Sequence, residues 1–85
     1  MLTIEDELHS ELIGEFSTRA EAVAELARLK RTPWDALPNL APCMSWQTCG
    51  RNYELVEWEG SRPMARTPAL NISAAGVEWL LAESE

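Results

Sequence analysis

Thr18-Arg19-Ala20-Glu21-Ala22-Val23-Ala24-Glu25-Leu26-Ala27-Arg28-Leu29-Lys30-Arg31 is the stretch on which the reading of the fold turns. Thr18 followed by Glu21 has the form of a capping box, in which a hydroxyl and a carboxylate satisfy the first free backbone N–H groups of a helix. Ala20 to Leu29 is dense in residues that lose little freedom in a helix. The spacing predicts a helix over residues 18–31. Glu21, Glu25 and Arg28 fall on one face, assigned to water, and Val23, Leu26, Ala27 and the stem of Lys30 on the opposite one. Pro33 closes the helix, because the residue before a proline is pushed out of helical angles.

Outward from the helix, residues 8–16 are read as a strand in which Leu8, Leu12 and Phe16 share a face. Ile4, Leu8 and Leu12 also fit a helical stripe, but Gly14, Ile13 and Phe16 favour a pleated surface. Asn52 to Glu59 alternates, with Tyr53, Leu55 and Glu57 against Glu54, Val56 and Trp58, which predicts a second strand ended by Gly60-Ser61-Arg62-Pro63. A short strand follows at 69–72, and Ser73 is placed as the cap of a closing helix with Val77, Leu80 and Leu81 on one stripe. The fold expected is a small single α+β domain over residues 1–85, in the order β-α-β-β-α, with a three-stranded sheet and both helices on one face. A sheet this small has two edges, offered by the strand at 52–59 or by the first strand. A copy of the chain could pair there, although Glu54, Glu57 and Glu59 would repel their twins.

Fourteen acidic against seven basic residues give a net charge of −7, spread along the chain as −4 over residues 1–30 and −3 over the rest. Such a field repels phosphate backbones and anionic lipid, so neither nucleic acid nor membrane is an expected partner. The opening Met-Leu-Thr-Ile-Glu-Asp-Glu has no basic region and no apolar run, which reads as a cytoplasmic protein.

Residues 32–50 carry three prolines, two tryptophans and a single charge, Asp35, and form an unusually long connection. Two readings stay open. Trp34, Leu37, Leu40 and Trp46 could fill space over a small sheet, or part of the segment could stand out as a rigid apolar patch, since tryptophan and proline suit binding at low ordering cost. On the second reading Trp46 is the most accessible tryptophan, Arg51 and Tyr53 share its surface, and Trp34 anchors the helix exit, making Trp34, Trp46, Arg51 and Tyr53 the candidate protein-binding residues. Trp58 and Trp79 are assigned mainly to the core.

Cys43 and Cys49 match neither a redox Cys-x-x-Cys pair nor a zinc knuckle, and His9 with scattered carboxylates does not complete a metal site. Buried thiols come first, a bridge across the loop second. His9 beside Ser10 has no positioning partner and is read as a solvent-facing side chain rather than a catalyst. Glu57 and Glu59 look like an exposed strand face. Gly14-Glu15-Phe16-Ser17-Thr18-Arg19-Ala20-Glu21-Ala22 resembles the strand-to-helix junction of SPOR domains, which bind peptidoglycan. That likeness is confined to these residues, and no function is carried over.

The resulting functional expectation is a non-enzymatic cytoplasmic interaction or regulatory domain without cofactor or metal. It would bind another protein or itself, as a monomer or weak homodimer. The alternative is a thiol-based redox-responsive or metal-linked regulator using Cys43 and Cys49.

Overall fold

The computed structural model describes residues 1–8, 10–33, 36, 37, 39 and 50–83. Its elements run β1 (Leu2–Asp6), β2 (Glu11–Phe16), α1 (Arg19–Lys30), β3 (Arg51–Glu59), β4 (Arg62–Ser73) and β5 (Gly76–Trp79). The strands form one antiparallel sheet of five, in the order β2-β1-β3-β4-β5. α1 packs on one face of it. Strands consecutive in the chain pair directly as antiparallel neighbours except β2 and β3, which lie on either side of β1 and are linked through α1 and the segment after it.

α1 forms where the capping box placed it. The Thr18 hydroxyl accepts from the Glu21 N–H, and the Glu21 carboxylate accepts from the Thr18 N–H at 3.1 Å. The β2-to-α1 step is the junction at 14–22. Ala22, Leu26, Ala27 and Leu29 turn inward, and Leu26 and Leu29 meet Leu2, Ile4, Leu55, Leu70 and Ile72 from the sheet. Burying each of the large aliphatic side chains contributes about 1.5–3 kcal/mol. Lys30 closes the helix with its ammonium 5.6 Å from the centre of the Trp79 ring, and Arg19 at the other end pairs with Glu83.

The expected three-stranded sheet with two helices is overturned, for three physical reasons. Leu2–Asp6 is a strand with Asp6 fully buried on the same side as Leu2 and Ile4, so a charge occupies a core position and obscures the alternation. β4 runs through Pro63 and Pro68, which a strand interior ordinarily rejects, because both lie where the pairing with β3 shifts register, at Trp58↔Pro63 and Glu54↔Pro68. The predicted closing helix is β5. The Ser73 hydroxyl does accept a backbone N–H, that of Ala75 at 3.2 Å, but it closes the turn into Gly76, whose φ of +142° is open to glycine and rare for other residues. Leu80 is consequently exposed while Leu81 is buried.

The strand predicted at 52–59 is present as β3, but it is the central strand, flanked by β1 and β4, and not an edge. Among the described residues the edges are β2 and β5. Gly50, just before β3, is held against β4 so closely that a Cβ there would lie 2.1 Å from the Ile72 carbonyl oxygen. Among the described residues no helix is long and apolar enough to cross a membrane.

Candidate partner-binding face

Two groups of side chains stand out, one on each face of the sheet. On the helix side, Asp6, Arg51, Tyr53 and Asn39 form a buried polar cluster. The Arg51 guanidinium donates from Nη1 to Asp6 Oδ2 at 2.9 Å and to Glu11 Oε1 at 2.8 Å. Asp6 Oδ1 also accepts from the backbone N–H groups of Leu8 and Asn52, each at 3.1 Å. Tyr53 donates its hydroxyl to Asn39 Oδ1 at 2.8 Å, and Asn39 Nδ2 donates to the carbonyls of Leu29 and Thr32, each at 2.9 Å.

This cluster ties the end of α1 to β1 and β3. Burial pushes the Tyr53 hydroxyl up to about 12, with the Asp6 and Glu11 charges acting the same way and Arg51 against them. Burial by itself would lower the Arg51 guanidinium, and the hydrogen bonds to Asp6 and Glu11 more than offset that, so it titrates above its ordinary value. Every buried side-chain polar atom among the described residues has a partner. Arg51 and Tyr53, candidate binding residues from the sequence, are thus interior: they are 4% and 1% exposed. Trp34, Trp46, Cys43, Cys49 and His9 lie outside the described residues. Among the described residues no cluster of His, Cys, Asp and Glu could hold a metal ion.

The face of the sheet away from α1 carries the second group. Cross-strand pairing sets Thr3 beside Val56, Glu5 beside Glu54, and Arg66 on the far side of Val56. Trp58 donates its indole N–H to Thr3 Oγ1 at 2.8 Å, and the Thr3 hydroxyl donates to Glu5 Oε2 at 3.0 Å. Arg66 bridges Glu54 at 2.6 Å and Glu5 at 3.4 Å. Val56, within this lattice, is fully buried, although among the described residues no helix lies on this face. The tethered indole forms one side of a trough of about 420 Å³ whose lining includes Met1, Thr3, Leu12, Glu15 and Ser61. Two other hollows, of about 340 and 370 Å³, reach Gly50 and Pro33 respectively.

Leu12 reaches the trough through an irregularity that the sequence conceals. Leu2 pairs with Phe16 and Ile4 with Gly14, but Glu5 pairs with Leu12, so Ile13 is an extra residue in β2. Residues 12 and 16, which simple alternation puts on one face, are split by this bulge. Phe16 packs on the core and Leu12 stands on the open face, 58% exposed. Trp58, expected to be mainly core, is half-buried on that same face. Leu12 and Trp58 come together only through the register of β2, β1 and β3. The sole hint in the sequence is that Val56 and Trp58 share a side opposite Tyr53 and Leu55.

No known protein family, curated protein or solved structure matches the chain.

Proposed function

We propose that the protein acts by binding another protein rather than by catalysis, through the open face of its sheet beside β2. One observation carries the proposal: an indole already fixed by a hydrogen bond to Thr3 and an exposed Leu12 flank one trough next to a strand edge. Tryptophan held in a single orientation offers large contact area with little further ordering on binding, which is the usual character of an interface anchor. The polar groups there, Thr3 and Glu5, are occupied by Trp58 and Arg66 and serve to hold the surface in shape. Two copies each carrying −7 repel one another, which favours a different protein as partner.

A photo-activatable cross-linker in place of Leu12, compared with one in place of exposed Ala24 on α1, tests this in the native cell. A discrete adduct from position 12 that is missing from position 24 is the expected result. Equal labelling from both positions, or none from position 12, would refute it.

A further inference from the structure

β2 is an edge of the sheet and pairs only with β1 among the described residues. An unpaired edge offers a row of backbone N–H and C=O groups to an extended chain, with side chains alternating between the two faces. Natural edges are commonly protected by charge, and the charge here is all of one sign: β2 carries Glu11 and Glu15 and no Lys or Arg. Glu11 is engaged by Arg51. Glu15 is exposed, has no cation partner among the described residues, and lines the trough beside Leu12, whose lining adds Glu5 but no basic side chain.

We infer, building on the proposed binding face, that the occupant is an extended segment of a partner protein in which Lys or Arg punctuates apolar residues, added to the sheet along β2. Its backbone continues the ladder, an apolar side chain enters the trough between Leu12 and Trp58, and a cation meets Glu15. The register refines the pattern. Glu11 and Glu15 stand opposite Asp6 and Thr3 of β1, so the bulge compresses their separation to three ladder positions. A regular strand on the far side of β2 meets these carboxylates at residues three apart, which alternation sends to opposite faces as it does Glu11 and Glu15. A second copy of this chain fits poorly, since it would oppose acids to acids. Nucleic acid and anionic lipid are repelled by the same carboxylates.

The test uses the full chain, isotope-labelled, titrated with four synthetic peptides of equal length built from Lys-Val-Val, Ser-Val-Val, Glu-Val-Val and Lys-Pro-Val repeats. The Lys-Val-Val peptide is expected to shift the amides of β2 and the Trp58 indole. The Lys-Pro-Val peptide, which keeps the charge but interrupts strand pairing, is expected to leave them in place. Glu15→Lys should weaken Lys-Val-Val binding about tenfold or more, whereas Glu25→Lys, the same charge change on α1, should leave it within about twofold. Shifts on this face that are equal or larger with Ser-Val-Val or Glu-Val-Val would overturn the basic partner while leaving the binding face standing. Equal binding of Lys-Pro-Val would overturn strand addition. Shifts scattered over all the acidic residues would overturn both features of the partner, and no shift on this face with any peptide would count against the face itself.

Discussion

Replacing Tyr53 by Phe isolates one hydrogen bond in the buried cluster and predicts two separate effects. The ring keeps its place among Ile4, Leu26, Leu29 and Leu70, all of them fully buried, so packing changes little. The hydroxyl that donated to Asn39 Oδ1 at 2.8 Å is gone, which leaves a fully buried carbonyl oxygen without that donor. Leaving such a group unsatisfied costs about 1–3 kcal/mol. A chain of 85 residues has a total stability of about 4–13 kcal/mol, so the loss is large enough to read by urea denaturation followed by circular dichroism. The melting temperature should fall by about 4–8 °C for each kcal/mol lost. The second effect is in alkali. Tyr53 holds its proton to about 12 in the folded protein against 10.0 for the ordinary side chain. Below pH 10 both states keep the proton and its contribution to stability is fully present. Above it the unfolded chain ionises first, and stability falls by up to about 1.4 kcal/mol per pH unit, a loss of about 2 kcal/mol by pH 12. The informative quantity is the difference between wild type and variant, which cancels whatever else alkali does to the chain. Tyr53→Phe should lose that part of the alkaline slope. A cost below about 0.5 kcal/mol at neutral pH together with an unchanged alkaline slope would refute the burial and bonding argued for this hydroxyl.

Gly50→Ala places a methyl group 2.1 Å from the Ile72 carbonyl oxygen, and since both are backbone-bound neither can turn aside; denaturation should show a loss of more than about 2 kcal/mol. Leu26→Ala should cost about 2–5 kcal/mol because the side chain is fully buried, and Leu80→Ala less than about 1 kcal/mol because Leu80 is 39% exposed. Equal costs for these two leucines would place the closing segment differently from β5 and its exit.

What the sequence conveyed was whatever is decided by neighbours along the chain. The Thr18 and Glu21 capping box is complete within one turn, so α1 was readable to within a residue of its ends. The alternation of Tyr53 to Trp58 exposed β3 because each of its faces is filled by a consistent set of residues. β5 was lost because Val77, Leu80 and Leu81 happen to fit a helical stripe and a serine can begin a turn as readily as a helix. β1 was lost because Asp6 is held in the interior by partners that the local sequence does not show, among them Arg51 and the Asn52 N–H of β3. The proposed site was least visible of all. Leu12 reaches the open face through the bulge at Ile13, and Trp58 is oriented by Thr3 from another strand.

The two polar systems on the sheet are joined by the backbone of β1, and this explains how the face away from α1 is held in shape. Ile4 and Asp6 point into the core and are locked there by packing and by Arg51, while Thr3 and Glu5 alternate outward and hold Trp58 and Arg66. A short strand clamped on one side cannot easily slip or twist on the other, because a shift of one residue would bring Asp6 out of reach of Arg51 and carry Thr3 away from the indole. The buried cluster need not touch the proposed partner to matter for the proposed binding. It fixes the register on which Leu12, Glu15 and Trp58 depend, so the entropy of arranging them is settled when the chain folds rather than when a partner arrives.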